Sequence, residues 1–154
     1  MKPADERFFE DYPQGQVLEF GPVLVDQEEI VEFAEKFDPQ YFHTDPKRAE
    51  DSIYGGLIAS GWHTASMVMR LLVENYLPVQ ASLGSPGVDE LRWLKPVYPG
   101  DQLNVRTNVL ESKRSRSKTD RGIITTLIEV INQDREMVMS LKAVNFLLLK
   151  PKNL

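Results

Sequence analysis

The chain divides into an early part with helical patterns of apolar residues and a late part with strand patterns. A short strand around residues 16–25, interrupted by Gly21-Pro22, precedes a helix. Asp26 is predicted to cap the start of this helix, and Pro39 prevents it from continuing. The longest helical pattern runs from Gly61 to about Tyr76. Four strand patterns follow, over residues 88–94, 103–109, 122–131 and 137–149. Helices early and strands late predict an α+β fold with a mainly antiparallel sheet.

The helix that begins at Gly61 is apolar over most of its circumference. Its polar residues form one narrow stripe, made of His63, Ser66, Arg70 and Glu74. Because such a helix must be wrapped by other structure, we expect a sheet of about five strands curled around it. A sheet of that shape leaves an open edge, so we also expect a homodimer or a higher homo-oligomer.

Composition narrows the class of protein. The chain has 154 residues, 42% of them hydrophobic, which suits one globular domain over residues 1–154 with a core from about 15 to 150. The net charge of −5 argues against nucleic acid as a partner. There is no cysteine, no membrane-length apolar run and no signal-peptide pattern at the N-terminus, so a cytoplasmic protein is expected. Two separated histidines do not predict a metal site.

The segment from Phe37 to Asp45 carries the main candidate chemistry. Asp38 and His43 lie five residues apart in what the pattern predicts to be a loop, before Asp45 caps a short helix that begins at Pro46. An acid and an imidazole can together move the proton of a water molecule. The glycine-rich helix start that ends at Gly61 could stabilise a developing oxyanion. Together they predict hydration of an activated carbonyl compound.

At this point the sequence resembles a known family, the MaoC-like dehydratases or (R)-specific enoyl-CoA hydratases, which have a hot-dog fold. The resemblance spans about residues 15–150 and rests on three motifs: the spacing of Asp38, His43 and Asp45, the helix opening 56–61, and the segment 91–101. The family pattern usually has asparagine where this chain has Gln40, proline where it has Tyr41, and histidine where it has Ser60.

The resemblance implies a hydro-lyase of fatty acid metabolism. Its reaction would be the reversible hydration of a trans-2-enoyl thioester to an (R)-3-hydroxyacyl thioester, with the thioester of coenzyme A or acyl carrier protein as substrate and no other cofactor. Asp38 and His43 would be catalytic, and sequence does not divide the roles of acid and base between them. Ser60, Gly61 and Gln40 would form the oxyanion and substrate-binding positions.

Alternatives remain open at several positions. Ser60 could simply cap the helix, and His63 fits the polar stripe better than a site. The basic run at residues 113–118 is either a solvated hairpin end or a contact to the phosphates of coenzyme A through Arg114, Arg116 and Lys118. The fold could also serve an acyl-CoA thioesterase or a non-catalytic acyl-thioester-binding protein.

Overall fold

The structure is a computed structural model that describes residues 1–153. Its helices are α1 (Gln27–Phe37), α2 (Tyr41–Thr44), α3 (Pro46–Ala49) and α4 (Gly61–Asn75), after two 3-10 turns at Ala4–Glu6 and Phe9–Asp11. Its strands are β1 (Val17–Leu24), β2 (Gly87–Trp93), β3 (Gln102–Arg114), β4 (Arg121–Ile131) and β5 (Met137–Leu148). None of the helices in this part of the chain is long and apolar enough to cross a membrane.

The five strands form one antiparallel sheet in the order β1-β3-β4-β5-β2. The predicted α+β class and strand number are therefore confirmed. β3 runs to Arg114, five residues beyond its predicted end at 109, because the polar residues after the apolar alternation continue to pair with β4 past a register shift. The two edges of the sheet are β1 and β2.

The core lies between one face of the sheet and α4. Alternate residues of β4 are buried, and Ile124, Ile128 and Val130 belong to the same apolar cluster as Val68 and Leu72 of α4. Period-two burial in a strand and a buried helical stripe are the two patterns that a sheet packed on a helix requires. Each fully buried side chain of this size contributes roughly 1.5–3 kcal/mol to the stability of the fold.

The polar stripe predicted on α4 does not match the side of the helix that is exposed in the structure. His63, assigned to that stripe, is 6% exposed, whereas Trp62, Met69 and Val73 are 59%, 47% and 41% exposed. The sheet of a single chain covers only one side of α4, so the other side presents both polar and apolar residues. Amphipathic spacing within one helix cannot show which apolar residues the rest of the fold will reach.

The segment after α1 is more ordered than predicted. Pro39 follows the end of α1 as expected, but Tyr41–Thr44 then forms a full helical turn, so His43 lies on α2 and not in a loop. The two predicted aspartate caps are confirmed. The side chain of Asp26 accepts a hydrogen bond from the Glu29 backbone at 3.1 Å, and that of Asp45 accepts one from the Arg48 backbone at 3.0 Å.

Candidate active site

Asp38 and His43 come together because the chain turns sharply between α1 and α2. The backbone N–H of Asp38 donates to the Ala34 carbonyl at the end of α1, and that of His43 donates to the Gln40 carbonyl at the start of α2. These bonds bring the Oδ2 atom of Asp38 to 3.4 Å from the Nε2 atom of His43. The pair predicted from a five-residue spacing is therefore formed in the structure.

The orientation of the His43 ring determines which nitrogen can act as a base. Nδ1 lies 2.7 Å from the backbone carbonyl oxygen of Ile58, and the ring is buried. Because a carbonyl oxygen can only accept a hydrogen bond, Nδ1 must carry the proton. In the neutral imidazole this leaves the lone pair on Nε2, the nitrogen next to Asp38.

Asp38 is held as a carboxylate by its neighbours. Ser60 Oγ donates to Oδ2 at 2.7 Å, and Gln40 Nε2 donates to Oδ1 at 2.8 Å. Burial tends to raise the pKa of Asp38, but these two hydrogen bonds and the interaction with His43 together lower its pKa below the ordinary aspartate value. Asp38 is therefore ionised throughout the neutral range.

The Asp38 carboxylate and the Nε2 lone pair of a neutral His43 are both hydrogen-bond acceptors. Because they lie 3.4 Å apart, they need a proton or a donor next to them. Either His43 is protonated and Nε2–H points at Asp38, or a water molecule donates to both groups. Only about a fifth of the Asp38 side chain is exposed, so few positions are available to that water. The arrangement can thus hold one water and exchange one proton with it.

A cavity of about 370 Å³ lies beside the pair. Gln40, His43 and Gly61 form part of its wall. Asp38 and Ser60 are not part of the wall: Asp38 contacts Gln40 and His43, and Ser60 contacts Asp38. Much of the remaining wall is apolar or aromatic, and sequence analysis did not assign it to the site: Phe42, Tyr54, Ile58, Trp93, Leu94, Pro96 and Val97. Lys95 also lies in the wall and pairs with Glu136. A cavity of this type suits an acyl group.

The N-terminus of α4 reaches the same cavity through Gly61. Ser60 stands at the N-cap position, but its hydroxyl donates to Asp38 and makes no cap hydrogen bond within the described residues. The simple capping role considered for Ser60 is therefore wrong. The first N–H groups of α4 have no acceptor inside the helix, and the positive end of the helix dipole lies at this point.

The sequence matches the family of MaoC-like domains over residues 9–131, which includes Asp38, His43 and the start of α4. The chain belongs to this family. A MaoC-like dehydratase from Rhodospirillum rubrum superposes with a TM-score of 0.87 and 41% identity, over 94% of this chain and 99% of that one. Other solved structures of similar shape include a protein with a double hotdog fold, and the fold of this MaoC-like domain is likewise of the hot-dog type.

Curated relatives point in the same direction. The YdeM protein of Bacillus subtilis, which is uncharacterised, is 32% identical over 124 residues, 80% of this chain and 86% of its own length. The 3-hydroxyacyl-thioester dehydratase Z of Mycobacterium tuberculosis is 28% identical over 110 residues, 70% of this chain and 73% of its own length. The MaoC-like domain thus belongs to a family that includes dehydratases of acyl thioesters.

The basic run of the MaoC-like domain lies far from the cavity of the same chain. Trp93, in the cavity wall, pairs with Met139 near the start of β5, whereas Leu148 near its end pairs with Arg121, just after the β3–β4 turn. Met139 and Leu148 are nine positions apart, roughly 30 Å along an extended strand. Within one chain the structure does not bring Arg114, Arg116 and Lys118 to the site.

His63 belongs to the core of the MaoC-like domain. Its ring stacks on Phe33 at 5.0 Å between centroids, and it is absent from the wall of the cavity. Burial lowers the pKa of His63, which the charge of Glu29 only partly opposes. Within residues 1–153 no group of three or more histidine, aspartate or glutamate side chains is arranged to hold a metal ion.

Proposed function

We propose that this MaoC-like domain catalyses the reversible hydration of a trans-2-enoyl thioester to an (R)-3-hydroxyacyl thioester. The observation that supports it most directly is the hydrogen bond from His43 Nδ1 to the Ile58 carbonyl. That bond leaves Nε2 as a base beside a carboxylate, at the wall of a largely apolar cavity. The family includes dehydratases of acyl thioesters, so the chemistry expected from the residues agrees with that of a relative.

In the hydration direction, one water molecule is bound beside Nε2 of His43 and Oδ2 of Asp38, in contact with both. The pair takes one proton from this water as its oxygen attacks C3 of the enoyl group. The resulting enolate takes that same proton at C2 from the pair, and the second hydrogen of the water stays on the new hydroxyl group. The pair therefore ends with the same protons with which it began, and no cofactor is needed.

The negative charge on the thioester oxygen needs stabilisation between these two steps. The N–H groups at the start of α4, next to Gly61 in the cavity wall, have no acceptor inside the helix and are the donors that we assign to this charge. Preorganised backbone donors contribute most where water is excluded, and the loss of one such donor typically costs about 2.7–4 kcal/mol of transition-state stabilisation. Gln40 and Ser60 support the reaction by keeping Asp38 ionised and in place.

The first test follows the loss of the enoyl-thioester absorbance of crotonyl-CoA. Asp38→Asn and His43→Ala should each lower kcat by at least about a hundredfold, within the range of general acid–base catalysis. His63→Leu is the matched control because it removes the other histidine, which lies outside the cavity wall, and it should retain activity. Full activity in both site variants would refute the proposed pair.

The same samples separate the other functions of this fold. Release of free coenzyme A from butyryl-CoA, with no hydration of crotonyl-CoA, would identify a thioesterase. Binding of both thioesters without turnover would identify a non-catalytic binding protein. The product of hydration, if formed, should be oxidised by a dehydrogenase specific for (R)-3-hydroxyacyl-CoA and not by one specific for the (S) isomer.

We also propose that the protein is a homodimer joined through β2 and the exposed side of α4. β2 is an edge strand, and Trp93 near its end packs against Trp62 of α4 at 5.0 Å between ring centroids. Trp62, Met69 and Val73 form an apolar stripe on the exposed side of α4. Edge and stripe are therefore continuous, and a second copy that pairs with β2 would also cover the helix.

The sequence of β2 is complementary to itself. If two copies pair antiparallel about a two-fold axis near the centre of the strand, Asp89 lies opposite Arg92 and Val88 lies opposite Trp93. Neither Asp89 nor Arg92 forms an ion pair with another residue in the described part of the chain. Opposite charges and apolar residues facing each other across such a pair are stabilising.

Light scattering after gel filtration tests the dimer. The wild-type protein should have twice the chain mass of 17.6 kDa at micromolar concentration. Met69→Glu, which places a charge in the apolar stripe, should shift it to the monomer. Leu24→Glu places the same charge on β1, the opposite edge of the sheet, and should leave the dimer intact. A monomeric wild-type protein would disprove this assembly.

A further inference from the structure

We propose that the basic β3–β4 hairpin of each chain binds the phosphates of a coenzyme A thioester whose acyl group lies in the active site of the partner subunit. The inference rests on the proposed function and on the dimer through β2. Within its own chain, the hairpin lies too far from the active site to contact the substrate there. In the dimer, each active site would contain residues of both subunits.

The hairpin carries cations that the chain itself does not neutralise. Lys113 pairs with Glu111, and Arg114 lies 3.6 Å from Glu10. Arg116 and Lys118 are exposed and form no ion pair within 4 Å with any residue of the described chain, although the charge of Lys118 helps to lower the pKa of nearby Asp120. In a protein with a net charge of −5, two such cations at the end of a hairpin form a local site for anions.

The antiparallel dimer brings this hairpin to the correct end of the sheet. Trp93 of one chain lies opposite Val88 of the partner subunit, and Val88 pairs with Ala143 within its own sheet. From Ala143 to Leu148, the neighbour of the hairpin base, is five positions, or about 17 Å. In one chain the corresponding distance from Trp93 is about 30 Å and points away from the cavity.

The distance across the strands, from β2 of one chain to β4 of the partner subunit, is also short. Three strand spacings separate β2 of one chain from β4 of the partner subunit, about 14 Å in all. The distances along and across the strands together place the hairpin base of the partner subunit roughly 22 Å from the backbone of Trp93. The side chains of Arg116 and Lys118 of the partner extend from that base beyond the last strand pair.

The dimensions of coenzyme A match this gap. Roughly 13 covalent bonds join the thioester sulfur to the first phosphorus, an extended length of about 16 Å. The nucleotide continues beyond this point and carries a further phosphate on its ribose, so the anionic groups reach the distance of the hairpin. Guanidinium groups bind phosphate oxygens through paired, charge-assisted hydrogen bonds, which suits Arg116.

The first measurement compares a substrate that has the nucleotide with one that lacks it. In the double variant Arg116→Glu/Lys118→Glu, KM for crotonyl-CoA should rise about tenfold or more, and KM for crotonyl-pantetheine should stay at the wild-type value. Lys47→Glu/Arg106→Glu changes the net charge equally at sites away from the hairpin and serves as the control. Equal effects on both substrates, or no effect on either, would overturn the inference.

Mixed dimers decide whether the hairpin acts on its own site or on that of the partner subunit. One chain carries Asp38→Asn, and the other carries Arg116→Glu/Lys118→Glu. The only site with an intact Asp38 then belongs to the chain with the altered hairpin and adjoins the unaltered hairpin of the other chain. If the inference is right, this hybrid has the wild-type KM for crotonyl-CoA. A KM that stays raised would place the contact within one chain and overturn it.

Calorimetry separates this inference from the proposed reaction. Should the protein not hydrate crotonyl-CoA, the binding of butyryl-CoA still tests the hairpin. Arg116→Glu/Lys118→Glu should weaken that binding about tenfold and leave butyryl-pantetheine unaffected. The monomeric variant Met69→Glu should lose the same part of the affinity, because its site has no second hairpin. A monomer that binds butyryl-CoA as tightly as the wild type would overturn the inference.

Discussion

The indole ring of Trp93 occupies the space in which residue 61 would place a β-carbon. A β-carbon built on Gly61 would lie only 2.8 Å from Nε1 of Trp93 and nearer still to two ring carbons. Gly61 begins α4 and Trp93 ends β2, so the edge strand packs directly on the helix start beside the cavity. Glycine is therefore required here by the close contact and not by its backbone angles.

Gly61→Ala should displace the Trp93 ring and with it one wall of the cavity. We expect a loss of roughly 1–3 kcal/mol in the free energy of unfolding, as for other overpacked sites, together with lower activity. Chemical denaturation and the crotonyl-CoA assay measure the two effects. Gly56→Ala is the control, because no atom lies within 4 Å of a β-carbon at that position. Similar behaviour of the two variants would contradict the packing argument.

Gln40→Glu should shift the acid limb of the activity profile to higher pH. A second carboxylate would replace the amide that donates to Asp38 at 2.8 Å, and like charges raise the pKa of a carboxyl group. kcat/KM for crotonyl-CoA across pH 4 to 9 measures the shift. Gln40→Met removes the hydrogen bond without adding charge, so it should shift the limb less. An unchanged limb in both variants would show that Gln40 does not control Asp38.

The ionised state of Asp38 should contribute to stability above its ordinary pKa. Because the pKa is lower in the folded protein, the unfolded chain takes up the proton first as pH falls. The contribution is therefore fully present above about pH 4, the ordinary aspartate value, and is lost as pH falls through the folded value. The difference in unfolding free energy between wild type and Asp38→Asn should shrink over that range in urea titrations. A difference that grew with acidity would contradict the sign.

His63 should make the fold less stable in mild acid. Burial lowers its pKa in the folded protein, so the unfolded chain binds a proton first as pH falls below about 6.5. Its Nδ1 atom has no hydrogen-bond partner among the described residues. His63→Leu should be within about 1 kcal/mol of wild type at pH 8 and lose less stability between pH 7 and pH 5.5. Melting temperatures at these pH values test this, and parallel losses would refute it.

The sequence alone predicted the secondary structure and the chemical pair well. Strand alternation and helix caps depend on neighbours along the chain. The sequence therefore predicted the strands of the sheet and the caps formed by Asp26 and Asp45. Asp38 and His43 are five residues apart on either side of Pro39, a short distance over which the chain has few paths. The family motif added a prediction of catalytic roles for Asp38 and His43, and these roles remain a proposal.

Other features depended on contacts between distant parts of the chain. Ser60 donates to Asp38, 22 positions earlier, and that partner cannot be read from a helix-start pattern. His63 has the spacing of a surface residue, yet it is buried against Phe33 because α1 packs there. The cavity walls come from α2, the loop before α4 and the end of β2, none of which carries a pattern that marks a pocket.

The sequence by itself determined the α+β class, most strand limits and the acid–histidine pair, because these depend on local periodicity, caps and a short turn. Only the tertiary structure decided which face of α4 stays open, which nitrogen of His43 is free, and how far the basic hairpin lies from the site of its own chain. Those outcomes depend on strand order and on how the sheet covers the helix. Local sequence patterns do not encode either one.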